Sequence, residues 1–288
     1  MNGILLIDKP EGLTSADVVR RVKRRIGGKI GHLGTLDPFA TGLLPLCCGE
    51  ATKIAQFLNT ADKAYEGVVQ LGRATDTGDR TGQPTRAAAL PDLPSVDLDA
   101  LARRFTGELQ QTPPMYSALK RDGVPLYRLA RQGVEVERSP RPVRIDRLTL
   151  EPAGPDRLRF RLACSKGTYV RVLAEDIGAA LGSAAHLEEL RRTGFGSFAV
   201  DDAVTLDAWD PAQSAGLVAL RRALSHLPAV SIDDQAAVAV RQGKSWPLRA
   251  LPVELATPAM LLDRAGDLIA VAVRKSDLWS YGRVLGTA

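Results

Sequence analysis

Gly31-His32-Leu33-Gly34-Thr35-Leu36-Asp37-Pro38-Phe39-Ala40-Thr41-Gly42-Leu43-Leu44-Pro45 is the stretch on which the reading of this chain turns. It sets one carboxylate among three glycines and two prolines, between a basic segment and an apolar run, Leu43 to Cys48. A loop of that composition holds its backbone in a fixed, unusual shape and presents Asp37 from it. On the residues alone two readings stand level. One is a tight turn in which Asp37 bonds its own backbone, as Asp before Pro commonly does; the other is a functional carboxylate displayed from a rigid loop.

Upstream, Gly3 to Asp8 is a continuous apolar run that predicts a buried strand, stopped by Lys9-Pro10-Glu11-Gly12. Thr14 with Asp17 three residues on predicts a capping box, and Leu13 against Val18 a hydrophobic staple. The helix so opened puts Val18, Val19, Val22 and Ile26 on one stripe and Arg20, Arg21, Lys23, Arg24 and Arg25 on the other. Such a charge run usually marks a solvated face, and its single sign would also suit a phosphate backbone. Downstream, Leu43 to Cys48 predicts a second buried strand, Thr52 to Leu58 a short helix, and Ala64 to Leu71 a third strand. In that third strand Tyr65, Gly67, Val69 and Leu71 share a face.

Asp76-Thr77-Gly78 matches the turn used by aspartic proteases, but it occurs once and in polar surroundings, so a flexible polar loop is expected there, continuing from Gly82 to Pro94. Asp97 to Phe105 predicts a capped helix. Between Lys120 and Arg147 eight Lys or Arg stand against four acids, a basic insertion holding a helix from Pro125 to Gln132. Val143 to Leu150 and Arg157 to Cys164 alternate as a hairpin, followed by Ser165-Lys166-Gly167-Thr168-Tyr169-Val170-Arg171 and a helix to Leu181. Lys166-Gly167-Thr168 lacks the upstream glycine spacing of a nucleotide-binding phosphate loop. Gly194 to Val200 predicts a strand, Ala203 to Pro228 a connector, and the short strands after Ala229 a small β-barrel.

At 288 residues the chain can bury a full core and divides into one large and one small domain, placed at 1–228 and 229–288. Its opening does not read as a signal peptide and no run reaches a membrane span, so a cytoplasmic, membrane-free protein is expected. Cys47, Cys48 and Cys164 sit in apolar settings without metal-ligand spacing, which predicts buried thiols and no zinc site. A formal charge of +5 favours a polyanionic partner.

Gly31 to Pro38 with Ala40-Thr41-Gly42 and Gly49-Glu50-Ala51-Thr52-Lys53 resembles the catalytic-loop signature of the TruB family, the bacterial tRNA pseudouridine-55 synthases. The segments Lys9-Pro10, Thr112 to Lys120 and His186-Leu187-Glu188-Glu189-Leu190-Arg191-Arg192-Thr193, and the single residues Tyr169 and Arg171, are similar to the family. The resemblance implies an α+β fold: a mixed β-sheet pseudouridine-synthase domain with flanking helices and a C-terminal PUA-like β-barrel. It implies isomerisation of a T-loop uridine of tRNA with Asp37 as nucleophile and Arg171 as the active-site arginine. It further implies that Tyr65 stacks on the base and helps move its C5 proton, Tyr169 hydrogen-bonds near it, Leu190 packs against it, His32 supports its flipped state, and Lys9 braces the pocket. The insertion, about residues 113–147, becomes the candidate RNA-gripping flap.

That chemistry is self-sufficient in residues of this kind. Breaking a glycosidic bond builds positive charge at the anomeric carbon, which a carboxylate can stabilise or capture. An ionised Asp37 needs a cationic partner in a dry pocket. Attack on the sugar and attack on the base use the same residue. Uracil is both leaving group and returning nucleophile, so neither metal nor cofactor is expected. Long lysine-rich extensions are absent, which weighs against a guide RNA; the expected state is a monomer. Two alternatives stand beside this reading: a non-catalytic tRNA-binding or folding protein, and a relative directed by guide RNA.

Overall fold

The computed structural model describes residues 1–59 and 61–286. It comprises two units, one of Met1–Asp37, Leu43–Thr60 and Ser197–Ala288, the other of Pro38–Gly42 and Ala61–Gly196.

In the first unit the apolar opening is the strand Gly3–Lys9, with Ile4, Leu5, Leu6 and Ile7 all buried. Val204–Thr205 pairs with it in parallel and Leu217–Val218 antiparallel, so the expected connector supplies edge strands to the sheet. The capping box forms as expected: Thr14 Oγ1 accepts from the Asp17 amide at 3.0 Å, and the Thr14 amide donates to the Asp17 carboxylate at 3.0 Å. The helix Ser15–Ile26 buries Val18 and Val22 and leaves its arginines largely exposed. Ile30–His32 pairs antiparallel with Cys48, Cys47 and Leu46 of the strand Thr41–Cys48.

Residues after Pro228 form a four-stranded sheet in the order Ala229–Ser231, Ala259–Leu262, Leu268–Lys275, Leu278–Val284. A helix, Asp234–Arg241, joins Leu248, Leu251, Leu261 and Ile269 in a separate small core. The sequence pattern predicts only strands and turns there, because Ala236-Ala237-Val238-Ala239 carries too few large apolar residues to mark a helical stripe.

The second unit is built on an antiparallel sheet in the order Ala185–Phe195, Lys63–Leu71, Arg157–Cys164, Arg141–Pro152, Gly107–Gln111. Three expectations are corrected by it. Arg141, Arg144 and Arg147 belong to a sheet strand, so the basic insertion ends before them. The segment His186 to Thr193 lies within one long strand, where the sequence pattern begins a strand only at Gly194. The polar stretch from Asp76 is ordered: Pro84–Ala87 pairs with Arg73–Thr75, and Asp79 bridges to Leu187. The remaining insertion carries a two-residue hairpin, Lys120–Arg121 with Val124–Pro125, and a short helix, Leu126–Arg131. Arg121, Arg128 and Arg131 are all exposed on it.

Candidate active site

Lys9, His32 and Asp37 lie in the first unit; Tyr65, Tyr169, Arg171 and Leu190 lie in the second. Each is fixed by identifiable neighbours within its own unit.

Lys9 is fully buried, and its ammonium donates to the carbonyls of Pro10 at 2.9 Å and Leu13 at 2.8 Å. It therefore folds the Pro10 to Leu13 turn back on the strand that carries it and sets where the basic helix begins. Ser15, the first residue of that helix, is buried against the Asp37 loop. Its hydroxyl accepts from the Leu36 amide at 2.9 Å and donates to the Leu36 carbonyl at 3.2 Å. Both main-chain groups of the residue preceding Asp37 are thus satisfied by one side chain, so the loop is clamped beside its carboxylate. On the loop's other side the Leu33 amide donates to the Pro45 carbonyl at 2.9 Å, and His32 pairs with Leu46. Asp37 and His32 are both half-buried.

Arg171 is not the surface helix arginine that its position would ordinarily suggest. It is 6% exposed, in the first turn of Val170–Ala180. Its Nη1 donates to the Thr77 carbonyl at 2.8 Å and its Nη2 to the Tyr116 carbonyl at 2.7 Å, while Asp79 Oδ2 stands 3.8 Å from Nη1. Asp79, 4% exposed, is itself knotted in place. Its Oδ1 accepts from Thr77 Oγ1 at 2.9 Å, the Thr81 amide at 2.9 Å and Thr81 Oγ1 at 2.5 Å, and its carbonyl accepts from Thr75 Oγ1 at 2.6 Å. Buried polar groups so completely bonded make a rigid support, and the planar guanidinium is aimed by three oxygens.

Tyr169 precedes that helix. Its amide donates to Gln111 Oε1 at 3.0 Å and its carbonyl accepts from Gln111 Nε2 at 3.4 Å, a two-way clamp by a buried amide side chain. Tyr65 and Leu190 share a sheet face: Tyr65 opposes Arg192 and Leu162, and Gly67 opposes Leu190 and Phe160. Gly67 has no room for a side chain, since a Cβ there would overlap the Glu189 carbonyl and press on the Phe160 ring. The strand pairing brings these two candidate residues together and adds Arg192 on the same face, which nothing in the sequence singles out.

The residues that sequence reasoning misses are Ser15, Asp79, Gln111 and Arg192. Ser15 reads as an ordinary helix-start residue and Gln111 as a polar strand end. Asp79 has a signal, since threonines two residues to either side offer donors to one buried carboxylate. His186 is a buried structural residue, its Nδ1 2.8 Å from the Arg73 carbonyl. The three cysteines are buried thiols, pushed up by burial to about 12 for Cys47 and about 11 for Cys48 and Cys164.

A family model described as TruB family pseudouridylate synthase (N terminal domain) matches residues 20–170, and one for the tRNA pseudouridylate synthase B C-terminal domain matches 171–226. The chain belongs to the TruB family. A tRNA pseudouridine synthase B of Aromatoleum aromaticum is 53% identical over 249 residues, 85% of this chain and 80% of that one. Another of that name, from Burkholderia lata, is 49% identical over 295 residues, 100% of this chain and 91% of its own. A solved H/ACA ribonucleoprotein bound to a substrate RNA containing 2′-deoxyuridine contains a chain of the same fold. It aligns with a TM-score of 0.72 at 24% identity over 99% of this TruB-family chain and 85% of that chain. The fold is thus the mixed α+β fold of pseudouridine synthases.

Proposed function

We propose that this chain converts a T-loop uridine of tRNA, U55, to pseudouridine without a guide RNA, metal or cofactor. The observation that carries the reading is that the family match extends across His32, Asp37, Tyr65 and Tyr169, whose loops and strands are held by the bonds and pairings described above. Identity favours the unguided class. Relatives named tRNA pseudouridine synthase B stand near 50% identity, whereas the ribonucleoprotein chain stands at 24%.

In the proposed reaction the target nucleotide leaves its stack at a cost of roughly a few kcal/mol. His32 supports the flipped state, Leu190 packs against the base, Tyr65 stacks on it, and Tyr169 hydrogen-bonds beside it. The Asp37 carboxylate captures the charge that builds as the glycosidic bond breaks. Arg171 is the active-site arginine. Uracil turns, C5 joins C1′, and Tyr65 takes the C5 proton. Lys9 keeps the pocket's wall in register. Residues 1–228 do this work, the arginines of the insertion that ends before Arg141 grip phosphates, and residues 229–288 act as a PUA-like module binding tRNA remote from the flipped base. The enzyme acts as a monomer on free tRNA in the cytoplasm.

The test is to incubate pure protein with an unmodified tRNA transcript and map pseudouridine, adding no other RNA. Modification confined to the T-loop uridine is expected. Tight binding without modification would favour a tRNA-folding protein, and modification only after adding a guide RNA would favour the guided class.

A further inference from the structure

We propose that Arg192 is the positioning residue of Tyr65, its sealed guanidinium holding the phenolic oxygen and favouring the phenolate that takes the C5 proton. This rests on the reading of Tyr65 as the base.

Arg192 is 0% exposed and the bulkiest of the fully buried side chains. It stands directly across from Tyr65 in the strand register, and the two side chains are hydrogen-bonded. A guanidinium has donors and no acceptor, so the phenolic oxygen accepts from it. The position is locked. Gly42, at φ 98°, runs against the Arg192 main chain so closely that a Cβ would overlap the Arg192 carbonyl. On the other side the guanidinium carbon lies 5.6 Å from the centroid of the Phe195 ring.

A second cation reaches the same ring. Lys63, two residues before Tyr65 on the same strand face, places its Nζ 5.0 Å from the Phe195 centroid. Burial, and after it the Arg192 charge, hold the Lys63 ammonium below its ordinary range; Lys166 acts in the same direction, Cys164 and Asp62 in the opposite one. Burial likewise pulls Arg192 down, and Tyr65 pulls it back up. Leu162 and Leu190 supply apolar walls. A fully buried cation hydrogen-bonded to the phenol favours its ionised form against the cost of burying it.

The step balances with no co-reactant. Once C5 has joined C1′, C5 carries both the new bond and its hydrogen. The phenolate takes that hydrogen as a proton, the C5–H electron pair becomes the C5=C6 double bond, the former C6=N1 pair settles on N1, and N1 takes a proton.

Three measurements test this. Replacing Tyr65 by a fluorinated tyrosine with a more acidic phenol is expected to move the acid limb of the single-turnover pH profile down. Arg192→Lys and Arg192→Met, confirmed folded by thermal melting and tRNA affinity, are expected to move that limb up by about one unit or more. Each should lower the rate at pH 7 about tenfold, recover at high pH, and show a larger isotope effect on C5-deuterated substrate. Fluorine NMR of the fluorotyrosine at position 65, with Arg192 intact, should give a phenol pKa below that of the free amino acid. If the fluorinated enzyme's limb moves and the limbs of the folded Arg192 variants do not, the proposal is overturned while Tyr65 stands as base. If fluorination moves nothing, the base reading falls and the proposal with it. Should neither Arg192 variant fold, a position-65 phenol pKa at or above the free value overturns the proposal by itself.

Discussion

Asp79→Asn isolates what the buried knot does for Arg171. The substitution keeps shape and volume, so no cavity enters the comparison. An amide oxygen at the Oδ1 position can still accept from Thr77 and Thr81, but these change from charge-assisted to neutral bonds, which are roughly half as strong. Bonds to charged groups are worth about 1.5–3 kcal/mol net, so halving three of them would lose about 2–4.5 kcal/mol. The lower desolvation cost of an amide offsets part of this, leaving a net loss of about 2–3 kcal/mol. At the other oxygen the amide presents N–H groups toward the Arg171 guanidinium, now 3.8 Å away, donor facing donor. Arg171 keeps its bonds to Thr77 and Tyr116, so the helix should stay docked while the fork loses its aim. A misplacement approaching 1 Å is worth about 100-fold in rate, so a fall of about 10- to 100-fold is expected in single turnover. Thr81→Val is the matched control, removing one hydroxyl donor to Asp79 without altering its charge toward Arg171. Urea unfolding and single-turnover assays on both variants decide the matter. Unchanged stability of Asp79→Asn would refute the knot; a rate no lower than that of Thr81→Val would refute its link to Arg171.

Other perturbations probe the loop, the sheet and the helix. Ser15→Ala should cost about 1–3 kcal/mol by leaving the Leu36 amide without its hydroxyl acceptor, and a wild-type urea midpoint would contradict the clamp beside Asp37. Gly42→Ala should cost about 2–6 kcal/mol, a left-handed backbone penalty of about 1–3 plus overpacking against Arg192 of about 1–3, and soluble expression with an unshifted melting temperature would contradict it. Glu175, held above the ordinary carboxylate range by burial and then by Asp176, with Arg171 opposing, binds its proton more tightly folded than unfolded. Its contribution is therefore favourable below the unfolded pKa and is lost as pH rises from there through the folded pKa. Glu175→Gln should flatten the fall in stability over that window and raise the melting temperature at pH 7; a steeper fall would reverse the sign.

Elements carried by local rules are legible in the sequence. Thr14 and Asp17 form their capping box, Tyr65 and Val69 take the same face, and the Val143 and Arg157 strands pair, because caps and alternation act over a few residues. Asp37 is legible through the length of its motif, not through its surroundings. What escapes are contacts over long separations: Ser15 to Leu36, Gln111 to Tyr169, Asp79 to Arg171, and Tyr65 to Arg192. A polar segment such as Asp76 to Thr81 reads as a loop when its donors and acceptors are counted locally. It becomes a buried support only when a helix roughly 90 residues on supplies a cation for it, a separation at which loop closure depends on the rest of the fold.

The central claim is that one carboxylate, Asp37, performs the isomerisation on a loop whose shape does not depend on its charge. Asp37→Asn keeps that shape, so the variant should bind unmodified tRNA within a few fold of the wild type and form no pseudouridine at the T-loop uridine even over prolonged single-turnover incubation. Measurable pseudouridine from the pure variant would contradict the account.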